Sequence, residues 1–299
     1  MLFRSARNRA PGYHFAGHFL DLQCSRFERS GVEFSVEPGP HCTDAHGNVG
    51  LTALLAFGDL VLAASSRVYV DSTRRTATLL LRIEPTGEVA RGTLHARARS
   101  DGFSPRTVLP EATCSGSIVA GGREVLRMSG TWVSPPAPPG RVLYPLPWEG
   151  GERGTDVALT RRELDAAEKD VVRRVEKAIR GAPHQEFLAG LWAPTVRHTP
   201  KGALGRLPVA MHVGNRVGHV QGGLLMSTAL ATATAAVPHH PVLTAASAWY
   251  ISPGQGKAIS ARSTVLQKGR NVAVVRTELF ATGGKRVLET ISNHAIAAH

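Results

Sequence analysis

The chain reads as an α+β protein made of two copies of one unit, a buried helix followed by an antiparallel sheet. Three observations lead there. Two helix-length runs with almost no charge lie far apart, Gly50–Ser66 and Val220–Val237. Each is followed by segments in which apolar and polar residues alternate, separated by glycine-containing turns. Between the copies the composition shifts to proline, in the PPAPPG and PLP stretches of Ser134–Gly154. Period 2 marks strands with one buried face, and a long run without a polar face marks a helix buried all round.

In the first copy the helix of Gly50–Ser66 precedes strands expected at Thr76–Ile83, Arg91–Arg99, Thr107–Val119 and Glu124–Val133. The second of these is typical: Arg91, Thr93, His95, Arg97 and Arg99 alternate with Gly92, Leu94, Ala96 and Ala98. The proline-rich stretch is a stiff, extended linker. After it, Thr160-Arg161-Arg162-Glu163 has the form of a capping box and predicts a helix to about Arg180. Leu164, Val171, Val175 and Ile179 form its apolar stripe, so it is expected to lie as a strap against a domain, with partner binding the other use of such a face. In the second copy the helix of Val220–Val237 is closed by Pro238. Strands are expected at Val242–Ile251, Ala258–Leu266, Asn271–Ala281 and Arg286–Ile296, with hairpin turns at Lys268-Gly269-Arg270 and Gly283-Gly284. The chain thus divides into an N-terminal domain (1–133), a linker with its helix (134–185) and a C-terminal domain (186–299).

At 299 residues, each copy is long enough to bury its own core, and 42% hydrophobic against 19% charged residues excludes a disordered chain. No apolar run reaches the roughly 18 residues of a membrane span. Arg4, Arg7 and Arg9 are not followed by the apolar stretch of a secretory signal, so a cytoplasmic protein is expected. Cys24, Cys42 and Cys114 form no CxxC pair, which fits free thiols in a reducing compartment. No metal is expected, because the close ligand pairs, His41–Cys42 and His239–His240, are adjacent residues that rarely share an ion. The formal charge of +12 attracts polyanions: nucleic acid, an anionic membrane or a phosphorylated small ligand. With 6% aromatics and no basic stretch interleaved with them, nucleic acid is not expected.

The segment Asn215-Arg216-Val217-Gly218-His219-Val220-Gln221-Gly222-Gly223 resembles acyl-CoA thioesterases of the phenylacetyl-CoA thioesterase type. Those carry an Asn, a Gly three positions on, and a His-Gly-Gly that opens a helix. Here Asn215, Gly218, Gly222 and Gly223 match, and Gln221 stands in place of the His. The following helix, Val237-Pro238 and the strand end Trp249-Tyr250-Ile251-Ser252-Pro253-Gly254 are similar to the double-hotdog acyl-CoA thioesterase II family. The first copy matches more loosely, through His46-Gly47-Asn48-Val49-Gly50 and Gly58-Asp59. The resemblance implies a tandem hotdog fold, an intrachain pseudo-dimer, with further self-association left open. It also implies hydrolysis of a coenzyme A thioester, coenzyme A being part of the substrate and no separate cofactor being required. A non-catalytic acyl-CoA-binding module is the competing reading, and an acyl-thioester hydratase or dehydratase a third.

Thioester hydrolysis needs a carboxylate to activate water and positive dipoles to hold the oxyanion. Asp59 is the one charged residue in its apolar helix, facing either a site or solvent. Gly222 and Gly223 open the second helix, where unpaired N–H groups can meet a carbonyl oxygen, or where glycine serves only a sharp turn. The resemblance implies a composite site, with glycines from one copy and acid from the other. Asp59 with Gly222 and Gly223 is then a complete pair, with Gln221 orienting water or carbonyl. The reverse pair is degenerate, since the acid position falls at Leu230 and the helix opens on Asn48-Val49-Gly50. One conflict remains: Asp59 lies nine residues past Gly50 rather than the seven of the family, about 200° out of register. Asn215 and His219 are candidate substrate contacts, Asn48 a helix cap or contact, and Lys268 and Arg270 either phosphate ligands or a charged hairpin tip.

Overall fold

The computed structural model describes residues 9–10, 14–71, 74–151, 154–155, 157–181 and 186–298. The expectations on Arg4 and Arg7, and the parts of the linker at 152–153, 156 and 182–185, lie outside these residues. Helix α1 is Phe15–Phe19, and β1 (Gln23–Glu28) and β2 (Gly31–Val36) form a hairpin before α2 (Leu51–Arg67). Then come β3 (Ala77–Pro85), β4 (Leu94–Ser104), β5 (Glu111–Ala120) and β6 (Arg123–Val133). Helices α3 (Ala166–Gly181) and α4 (Phe187–Trp192) lead into the second unit. It repeats the first: β7 (Thr195–Thr199), β8 (Gly202–Pro208), α5 (Gly222–Ala236), β9 (Val242–Tyr250), β10 (Ala258–Lys268), β11 (Val272–Ala281) and β12 (Arg286–Ala295).

The eight expected strands and two long helices form close to where alternation and apolar runs place them. Each unit also has a hairpin before its helix that was not expected. In the outer strands β1 and β7 most side chains are exposed, so neither shows a buried alternate face. Val32, Phe34 and Val36 of β2 do alternate and are buried.

All twelve strands join one sheet in the order β1-β2-β4-β5-β6-β3-β9-β12-β11-β10-β8-β7, a palindrome of two equivalent halves. The seam is β3 against β9, antiparallel, from Leu80 opposite Trp249 to Ile83 opposite Ala246. The sheet wraps α2 and α5, which lie against each other. Their contact reaches the backbone: a side chain begun at Gly223 would come within 2.1 Å of the Leu55 carbonyl. Nearby, Thr52 and Ser227 share a hydroxyl hydrogen bond of 2.7 Å across the helix pair.

The connection between the units differs from expectation in two ways. Thr160 and Glu163 do bond to each other, but around an isolated turn. The helix begins later, on a reciprocal box between Asp165 and Glu168. Its stripe continues through the buried Val171, Val175 and Ala178, and Ile179 is exposed. Starting at Ala166 brings Glu168 inward, where Arg9 holds it through two nitrogens at 2.7 and 2.6 Å. The proline-rich stretch is docked along part of its length: Leu146 is buried, Trp148 packs edge-on against Phe34, and Glu149 pairs with Arg67.

Among the described residues no helix is long and apolar enough to cross a membrane. Among the same residues, no group of His, Cys, Asp and Glu is arranged to hold a metal ion.

Candidate active site

The two loops that lead into the long helices have the same construction. In the first, the Asp44 carboxylate accepts the backbone N–H groups of His46 and Asn48, and Gly47 turns with a positive φ of 79°. In the second, the Asn215 side-chain oxygen accepts those of Val217 and His219, and Gly218 turns at 83°. Matching the loops makes Gly50 the counterpart of Gln221, each being the N-cap of its helix. Thr52, not Gly50, therefore stands where Gly223 stands. Asp59 lies seven residues past Thr52, as Leu230 lies seven past Gly223. Gly50 is the capping position and not the counterpart of Gly223, so the two helices share one register.

Asp59 faces inward. It is only 6% exposed, and its carboxylate sits over the start of α5, so that a side chain at Gly222 would begin 2.8 Å from one of its oxygens. Thr78, on β3, donates its hydroxyl to Oδ1 at 3.1 Å. Gln221 donates its amide to Oδ2 at 2.7 Å and reaches the Ala56 carbonyl at 3.3 Å. The Gln221 side-chain oxygen accepts the Leu224 N–H at 2.9 Å and thereby caps α5. One side chain thus closes the helix and fixes the acid of the other unit. Burial pushes the Asp59 pKa up to about 6, while the Thr78 hydroxyl and the Gly223 amide oppose the rise. Tyr250, at the end of β9, donates its hydroxyl to the Gly222 carbonyl at 2.8 Å. Its own pKa is raised, by burial first and then by the negative charge of Asp59. Nothing in the sequence marks Thr78, and Tyr250 stands out only as part of the strand-end motif. Each sits in an expected strand, and only the fold reveals that they meet Asp59.

Asp59, Gln221 and Gly222 line a cavity of about 400 Å³. It runs along α2 past Leu60, Ala63 and Ala64 to Arg67, where Trp148 and Arg216 also line it. Asn215 and His219 lie on its wall. Burial, Arg75 and Arg141 lower the His219 pKa, which favours the neutral ring. The Arg67 guanidinium bonds Glu149 through Nε at 2.5 Å and the Arg74 carbonyl through Nη1 at 3.0 Å. Burial, with Arg67 nearby, lowers the Arg216 pKa to about 10, against the pull of Glu149.

The other candidates are not brought here. Asn48 neither caps α2 nor reaches the cavity, because the cap is Gly50. Its amide donates to Asp44, and its oxygen accepts from Arg91. Lys268 and Arg270 flank the turn after β10. That turn meets His240 through the Gly269 carbonyl, beyond the C-terminal end of α5. Fifteen helical residues, roughly 22 Å, separate it from Gly222. The reverse site has a buried Leu230 for the acid, and the Glu186 carboxylate covers its helix start at Gly50.

Residues 212–294 match the model of the acyl-CoA thioesterase N-terminal domain. Solved structures extend the likeness to almost the whole chain. A protein of Lactobacillus plantarum assigned as an oleoyl thioesterase superposes with a TM-score of 0.57 at 13% identity, covering 91% of this chain and 98% of its own. The tesB protein of Mycobacterium avium subsp. paratuberculosis gives 0.55 at 10% identity, with 95% and 98% covered. The 12:0-ACP thioesterase of Umbellularia californica gives 0.54 at 11% identity, with 89% and 94% covered. The chain has the double-hotdog fold, and its second unit is similar to the acyl-CoA thioesterase domain. No curated protein matches its sequence. The second unit supplies Gln221 and the glycine-opened helix, and the first unit supplies Asp59 and Thr78.

Proposed function

We propose that this double hotdog hydrolyses acyl thioesters of coenzyme A at the site formed by Asp59, Thr78, Gln221 and the start of α5. The observation that carries the reading is the buried Asp59 carboxylate, held by a hydroxyl and an amide at the edge of a largely apolar cavity and beside a helix N-terminus. With a pKa near 6 it is mostly ionised at neutrality, yet basic enough to accept a proton from water.

In this mechanism Asp59 takes a proton from a water molecule as its oxygen attacks the thioester carbonyl. The oxyanion forms against the positive end of α5. The Gly222 and Gly223 amides, which open α5 beside the Asp59 carboxylate, are the oxyanion donors. Collapse breaks the carbon–sulfur bond, the thiolate takes the proton back from Asp59, and a carboxylic acid and free thiol leave. Gln221 positions rather than reacts, because its amide hydrogens are already given to Asp59 and Ala56.

A panel of acyl-CoA substrates with a thiol-detecting dye tests this directly. Thiol release by the wild-type chain and its absence in Asp59→Asn is the expected result. Calorimetric binding of acyl-CoA with no thiol released over hours would make the chain a binding module instead.

A further inference from the structure

At the end of the cavity remote from Asp59, three buried hydrogen-bond donors have no acceptor among the described residues: Arg67 Nη2, Arg216 Nε and Trp148 Nε1. All three residues line the cavity. Arg67 is only 5% exposed, and a charged donor left unpaired at such depth is costly. The charges do not balance either. Among the described residues, the Arg67 and Arg216 guanidiniums at this end face one carboxylate, that of Glu149, which leaves one positive charge of the three groups unbalanced. His14, on the same wall, does not add to it, because burial and Arg216 lower its pKa to about 4.

We propose that this end of the cavity is a carboxylate subsite, so that the preferred thioesters carry a second carboxylate at the far end of the acyl chain. The inference rests on the thioesterase reading for its substrate but on separate residues for its evidence. A carboxylate brings one negative charge, two acceptor oxygens and a planar shape that guanidinium groups match. It neutralises the surplus charge. A phosphate monoester, at about −1.5 to −2 near neutrality, overshoots it. The exposed Arg141 and half-buried Arg75 beside His219 are the cations that a solvated carrier phosphate meets first. Between Asp59 and Arg67 the wall is apolar (Leu60, Ala63, Ala64), as a methylene chain requires. Eight helical residues at 1.5 Å each give roughly 12 Å, which an acyl chain on the order of eight to ten carbons spans.

The test compares ω-carboxyacyl-CoA with the plain acyl-CoA of equal chain length, in the wild-type chain and in Arg216→Gln. Arg216 is chosen because it is less buried than Arg67 and lies outside the Glu149 pair. The expected result is at least a tenfold preference in kcat/KM for the ω-carboxy substrate, falling to near parity in the variant. Equal rates, or a preference for the plain chain, would overturn the subsite and leave the hydrolase reading standing. If KM rises alike for both substrates in Arg216→Gln, the anion is the carrier's phosphate and the proposal fails. If neither thioester is hydrolysed, calorimetry with the free dicarboxylic acid still decides. Binding that Arg216→Gln abolishes supports the subsite, and absence of binding by the wild-type chain overturns it.

Discussion

At the scale of single residues, Asp59, the proposed base, also costs stability. Its pKa in the folded chain is about 6, above the 3.8 of an unperturbed Asp, because burial disfavours the charged form. The folded state therefore binds this proton more tightly than the unfolded one. The resulting penalty is absent below about pH 4, grows between there and pH 6, and is complete above pH 6. Asp59→Asn should thus lose about 10²–10⁴-fold in kcat while gaining about 1–3 kcal/mol of stability at pH 8. Denaturant titrations at pH 4 and pH 8 check the second part: the gain should vanish at the lower pH. Wild-type kcat/KM should rise with pH through an inflection near 6. In Thr78→Val the carboxylate loses a donor that favours its charged form, so the inflection should move up by about one pH unit. An unmoved inflection would remove Thr78 from the site. The charge pattern made Asp59 conspicuous, as a lone carboxylate in an apolar helix. Thr78 was not legible, because a threonine in a strand is ordinary until the partner opposite it is known.

At the scale of elements, the site depends on how closely α2 and α5 approach. Glycine at 223 is required there, because a Cβ would run into the Leu55 carbonyl and the Ala56 nitrogen. Gly223→Ala should cost about 1–3 kcal/mol and abolish hydrolysis together, as the helices part and Gln221 loses Asp59; a melting curve alongside the thiol assay shows both. The paired loops explain why the helix register was misread from sequence. Gly50 looks like a match for Gly223, yet its place is that of the capping residue, and only the equivalent turns at Gly47 and Gly218 set the true alignment. Alternation found the central strands because one of their faces is buried. The outer β1 and β7 offered no such face, and the pattern of Val32, Phe34 and Val36 was short enough to pass for a loop. The strap helix was legible as an apolar stripe, but its start was not, because two carboxylate boxes lie five residues apart and only Asp165–Glu168 continues into a helix.

At the scale of the whole molecule, the proposed site draws on both units, and neither contains all of it. The units meet along the seam between β3 and β9 and through the helix pair. A chain cleaved at an engineered position after Gly151 should stay associated on size exclusion and keep most of its activity, while residues 186–299 alone should show none. Dissociation after cleavage would mean that the docked linker, not the seam, holds the pair. Installing an acid by Leu230→Asp should not create a second site, since Gly50 has no side chain to fix it and Glu186 covers that helix start; one active site per chain by titration is the expected count.

The palindromic sheet has a consequence for how such a chain can change over generations. In a homodimer every substitution is inherited by both sites at once, so a residue needed at either is preserved at both. Once the two copies share one gene, each position answers for one site only. Positions such as Gly50 and Leu230 can then change without touching Gln221 and Asp59, and the residues at the start of α2 become free material for fitting the cavity to its ligand.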